Sequence, residues 1–262
     1  MRIPILAYHS ISDNPWPGME RFTVTPAHFA RHLDLVVAGG FTALTVSDLA
    51  DRLDRGQAVP RRTVALTFDD GYDDTLTLAA PMLAARRLTA TVYVTTGLLR
   101  GSPEPGAGPA LGRMLGWGHL VELEDAGLEV GAHSHTHPQL DVLARSDAAA
   151  EIRNCKRLLE DGLGHTVRTF AYPHGYASRW VRDEVRRSGF RSACGVRNAF
   201  SHEEDARWMM ARLTVTASAT AAQVQAWLDG TGARTAGRGE RVRTTAWRGA
   251  RRARRLSHSL VR

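Results

Sequence analysis

The chain has 262 residues, 43% of them hydrophobic, enough for one large α/β domain or two small ones, and a globular protein is expected. No run approaches the ~18 apolar residues of a membrane span, and the N-terminus lacks the basic and apolar regions of an export signal, so a cytoplasmic location is expected. The net charge of +7 belongs to one end: residues 230 to 262 hold ten arginines against one acid, Glu240, which leaves the rest near neutral and argues against nucleic acid as a partner.

Taken in chain order, period and punctuation predict alternating strands and helices. Residues 2 to 8 read as a strand ending in Tyr8-His9. Thr25 and Pro26 open a helix that closes on Gly39 and Gly40. A short strand follows, then a helix from Ser47, then the apolar strand "TVALTF", which runs into Asp69-Asp70-Gly71. Leu76 to Arg86 reads as helix, "TATVYVT" and "GLEVGAH" as strands, and 146–161 as a helix with Ile152, Cys155, Leu158 and Leu159 on one face. The remainder alternates in the same way up to the helix "TAAQVQAWLDG". Cys155 and Cys194 belong to no CxxC pair and are expected to be buried and reduced.

Such alternation predicts a parallel sheet or barrel with helices outside, in which chemistry collects at the C-terminal ends of the strands. The residues at those ends are His9, Asp69, Asp70, His133, His135, His137 and the Pro173-His174-Gly175 turn. Consecutive carboxylates leaving a strand point in different directions, so one can bind a metal while the other acts as base. His133 and His137, four apart before Pro138, can converge on a cation. Two histidines and a carboxylate form a common catalytic zinc set.

"LTFDDG", "HSHTH" and "FAYPHG", in this order, resemble the polysaccharide deacetylases with a NodB-homology domain, carbohydrate esterase family 4, over roughly residues 1 to 228. The resemblance implies a distorted (β/α) barrel of about seven strands. It implies Asp69 as general base and Asp70, His133 and His137 as ligands of one divalent ion, zinc or else cobalt or nickel. It also implies the His174 amide as an oxyanion donor. The family's LxxH motif, whose histidine protonates the leaving amine and whose leucine lines the acetyl pocket, is absent near the C-terminus. "LAYH" at residues 6 to 9 fits it instead, which resembles the permuted arrangement of poly-N-acetylglucosamine deacetylases and implies His9 as general acid and Leu6 beside the acetyl group.

Two positions depart from the family pattern. Ala171 stands where an arginine usually holds the catalytic aspartate; Arg212 is a replacement candidate, with an ordinary surface arginine as the alternative. His174 replaces a tyrosine. Pro173, Arg212 and Trp180 are further candidates for substrate contact, although a tryptophan on an amphipathic helix is more often core. The implied reaction is hydrolysis of N-acetyl groups on an N-acetylated oligo- or polysaccharide or glycoconjugate, inside a catalytic domain of residues 1–229. A facial-triad iron(II) oxygenase and a catalytically inactive carbohydrate-binding protein are the competing readings. In the tail, 230–262, Trp247, Ala250, Ala253, Leu256 and Leu260 recur at near-helical spacing among arginines, the pattern of a basic helix on an anionic membrane surface or of a solvated disordered segment.

Overall fold

The computed structural model describes residues 1–106, 112–205, 207–237, 247 and 249–251. Seven parallel strands make the barrel: β1 (Ile5–Tyr8), β2 (Thr63–Phe68), β3 (Thr91–Val94), β4 (Glu129–Ala132), β5 (Thr169–Ala171), β6 (Ser192–Val196) and β7 (Met210–Thr214). Their spatial order is β1-β7-β6-β5-β4-β3-β2, and a further β1–β2 pairing closes the ring. The seams are unequal. Strands β1 and β2 share four registered pairs, from Ile5↔Ala65 to Tyr8↔Phe68, whereas β4 and β5 share one, Ala132↔Phe170. The architecture is the expected distorted (β/α) barrel.

The first strand lies between the second and the last, because Leu6 registers with Leu66 on one side and Leu213 on the other. The predicted strand from residue 2 is divided at Pro4, and Arg2–Ile3 pairs antiparallel with Ala199–His202 outside the barrel. Side chains alternate along a strand. Tyr8 therefore shares the outer face with Leu6, stacking on Phe68 at 5.5 Å and meeting Phe29 edge-on at 5.2 Å. On the opposite face Ile5 and Ala65 join Tyr93, Ala171, Cys194 and Met210 in the barrel interior, and the same parity turns His9 and Asp69 inward.

The helices α1 (Pro26–Ala38), α2 (Val46–Asp54), α3 (Ala80–Ala84), α4 (His119–Asp125), α5 (Arg145–Leu163), α6 (Arg179–Arg187) and α7 (Ala221–Leu228) supply the shell. Thr25 caps α1 as predicted, its hydroxyl accepting the amide of His28. The cap of α2 is Thr45 rather than a residue at 47. The predicted helix from Leu76 begins instead as a π-turn, Thr75–Ala79, that leads into α3. Helix α5 buries Ile152, Cys155, Leu158 and Leu159 as its spacing requires, and both cysteines are free and buried.

At the C-terminal end the body extends beyond the predicted boundary at residue 229. Arg234–Thr235 adds parallel to Ala199–Phe200, and Ala236 packs with Ala199 and Ala211. Residues 247 and 249–251 are helical; Ala253, Leu256 and Leu260 of the predicted basic stripe lie outside the described residues.

Candidate active site

Asp69 leaves β2 at the barrel mouth and is 3% exposed. Arg212 of β7 is 0% exposed and grips it fork to fork, Nη1 to Oδ1 at 2.6 Å and Nη2 to Oδ2 at 2.7 Å. The guanidinium is itself held, donating to Thr67 Oγ1 at 3.1 Å and to the Gly195 carbonyl at 3.3 Å. Burial would raise the Asp69 carboxyl, but the guanidinium, joined by the His133 and His9 imidazoles, outweighs it and holds the group below the usual carboxylate range. Arg212 thus takes the position left by Ala171. Being wholly buried behind Asp69, it is not a substrate contact.

The neighbouring carboxylate has the opposite surroundings. Asp70 takes a left-handed backbone, φ 73°, and turns Oδ1 to within 3.4 Å of His133 Nε2 and 3.2 Å of His137 Nε2. Those contacts lack hydrogen-bond angles, so Oδ1 is a buried acceptor without a hydrogen bond among the described residues. His133 follows β4 and its Nδ1 donates to the Ala171 carbonyl at 2.8 Å, which leaves the lone pair on Nε2. One donor atom each from Asp70, His133 and His137 lies within 4.8 Å of the others. Three converging lone pairs, two from nitrogen and one from a carboxylate whose other surroundings do not satisfy it, fit a divalent ion with a further position left for water. Burial would raise the Asp70 carboxyl, yet the imidazoles beside it hold it well below the usual range.

Among the described residues, four of the six non-glycine residues with positive φ, Asp70, Ser134, His137 and His174, belong to this mouth. Such backbone persists only where the surroundings over-determine it. Ser134 Oγ accepts the His137 amide at 3.0 Å. Glu151 of α5, a residue without a sequence motif, accepts the amides of His135 and Thr136 at 2.9 and 2.7 Å and the Thr136 hydroxyl at 2.5 Å. His135 itself turns away to Thr96 Oγ1 at 2.9 Å and is no ligand. In the turn after β5, Pro173 is buried and His174 has φ 57°. Gly175 permits the turn: a Cβ there would lie 2.5 Å from that of Val196. The His174 and His137 rings are 4.6 Å apart.

His9 packs on Phe22 with ring centres 4.9 Å apart, and its buried Nδ1 has no hydrogen-bond partner among the described residues. Burial pushes the imidazole below its usual value against the pull of Asp70 and Asp69. Leu6 does not join the group. It faces the helical shell with Tyr8 and is 0% exposed, because residues three apart on a strand point to opposite faces. Trp180 packs against the main core from α6 with the Arg145 guanidinium 5.6 Å over its ring, which is the core role and not a groove wall. A half-buried acid unforeseen in the sequence, Asp74, accepts the Ser10 hydroxyl at 2.6 Å, and partial burial pushes it up to about 6. "DDGYDD" does display it, as the last of four acids after β2.

Comparison with known proteins places the chain by family and fold. The family model described as polysaccharide deacetylase matches residues 56–193. YxkH of Bacillus subtilis (strain 168) is 20% identical over 234 residues, which is 87% of this chain and 76% of that one. The Streptococcus pyogenes deacetylase PplD, solved in complex with acetate, aligns with a TM-score of 0.76 at 22% identity over 86% of this chain and 96% of its own. IcaB from Ammonifex degensii aligns with a TM-score of 0.72 at 22% identity over 87% and 97%.

Proposed function

The chain belongs to the polysaccharide deacetylase family, and from that premise we propose that it is a metal-dependent hydrolase that removes N-acetyl groups from N-acetylated amino-sugar glycans and releases acetate. The observation that carries the reading is the pairing of two adjacent carboxylates with different tasks: Asp69 locked and ionised by Arg212, and Asp70 facing two imidazoles at coordinating separation. Asp70, His133 and His137 would hold the ion, of which zinc suits the donor set best. Such an ion lowers the pKa of a bound water and polarises an acetamide carbonyl.

The remaining steps fall to side chains and backbone. Asp69 accepts the proton as water adds to the carbonyl carbon, with its orientation fixed by the guanidinium. The His174 amide donates to the oxyanion that forms there, where a preorganised donor counts most. His9, a stronger acid for being buried, protonates the sugar nitrogen so that an amine departs in place of an amide anion. An iron(II) oxygenase could use the same three ligands, but it leaves the Arg212–Asp69 pair and His9 without a task.

The test is acetate release across N-acetylglucosamine oligomers, peptidoglycan fragments and small N-acetylated glycosides. Wild-type protein should release acetate from at least one, lose the activity on treatment with a chelator, and regain it with zinc, cobalt or nickel. Full activity after complete metal removal would overturn the reading.

A further inference from the structure

The basic tail has no task in the reaction above, yet one of its arginines is buried. Arg251 is 8% exposed. Its guanidinium meets Asp141 fork to fork, Nη1 to Oδ1 at 2.8 Å and Nη2 to Oδ2 at 2.7 Å. Nη1 also donates to Gln139 Oε1 at 2.8 Å, and the guanidinium carbon lies 4.0 Å from the centre of the Tyr176 ring. A bidentate carboxylate beside an aromatic face suits a planar guanidinium and not a lysine ammonium. Asp141 is 1% exposed, so this is a built receptor rather than a surface ion pair.

The place of the receptor gives it meaning. Gln139 and Asp141 continue the loop that carries His137, and Tyr176 continues the turn that carries His174. Those loops follow β4 and β5, the strands joined by one registered pair. We propose that Arg251 is a positioning residue: by tying the Gln139–Asp141 loop to Tyr176 it holds His137 and His174 together at the seam that the sheet leaves weakest. The inference rests on the reading of His137 as a metal ligand and of the His174 amide as an oxyanion donor, and it makes the C-terminal segment part of the catalytic unit.

The experiment compares full-length wild type with Arg251→Ala and Arg251→Lys by amide hydrogen exchange, zinc affinity in chelator competition, and thermal midpoint. Arg251→Ala should speed exchange at least about ten-fold within 134–142 and 174–177 while the strands are unaffected. It should also weaken zinc binding about ten-fold or more, the range found when an outer partner of a metal site is lost. Arg251→Lys, with the charge but no fork, should fall between. Unchanged exchange in both loops overturns the clamp, as does a uniform rise across the barrel with a matching fall in midpoint, which marks general stabilisation. If wild type binds no zinc while the two loops still loosen in Arg251→Ala, the clamp stands and the metal reading fails.

Discussion

The two sides of the barrel mouth are held by different means. On the β1–β2–β7 side the reactive groups leave strands directly and are fixed from the barrel interior: Arg212 grips both oxygens of Asp69, and Thr67 braces the guanidinium. On the β4–β5 side only His133 follows its strand directly. His137 and His174 sit in left-handed backbone on loops, with Glu151 and Arg251 bonded to those loops from α5 and from the C-terminal segment. Where four registered pairs join the strands, Asp69 and His9 follow the sheet directly; where one pair joins them, Glu151 and Arg251 bond to the loops from remote elements. The orientation of Asp69 is therefore a property of the barrel, and the placement of His137 and His174 a property of its loops.

Breaking the strand side should give the largest effects. Asp69→Asn removes the proposed base and is expected to lower acetate release by about 10²–10⁴-fold with bound metal retained; turnover within a few-fold of wild type would remove Asp69 from the chemistry. Arg212→Ala leaves a buried carboxylate uncompensated and should cost about 3–5 kcal/mol in denaturant unfolding. Because the guanidinium depresses the Asp69 pKa, its loss should also move the acid limb of the pH–rate profile upward. An unmoved limb would mean that the pair is structural only.

The loop side should respond in metal affinity and not in folding. Glu151→Ala is expected to weaken zinc binding by about 10–100-fold, as outer partners of metal sites do, whereas Glu151→Gln, which keeps an acceptor, should restore most of it. Equal loss in both variants would argue against hydrogen bonding as the cause. The smallest effect belongs to Asp74, beside the strand-side site. Its carboxyl is raised from 3.8 to about 6 in the folded chain, so its ionisation opposes folding increasingly as pH rises through that interval. Asp74→Asn should therefore stabilise the protein by about 1–3 kcal/mol at pH 8 and by almost nothing near pH 4. A pH-independent difference between the two unfolding curves would contradict this.

Much of the site was legible because its chemistry stands at strand ends. Asp69, Asp70, His133 and His9 follow apolar runs that read as strands, His137 comes four residues after His133, and the barrel brings them to one rim. Leu6 was misread because a motif match ignored strand parity: a residue three before His9 faces the other way. Arg212 could be named only as a replacement for a missing arginine, since nothing in "ARLTV" reveals a partner 143 residues away. Helix α4 escaped notice because Gly118 caps it without a side-chain hydrogen bond, so no Ser, Thr or Asp marks its start. Glu151 and Arg251 were illegible for a related reason. A glutamate on a polar helix face and one arginine among ten look solvated until the fold supplies their partners.

The division of labour is tested most directly by measuring metal content and acetate release on the same preparations of His9→Ala and His137→Ala. The account predicts that His9→Ala keeps about one ion per chain while turnover falls by about 10²-fold or more, and that His137→Ala loses the ion and the turnover together. Loss of metal from His9→Ala, or full turnover by His137→Ala, would contradict it.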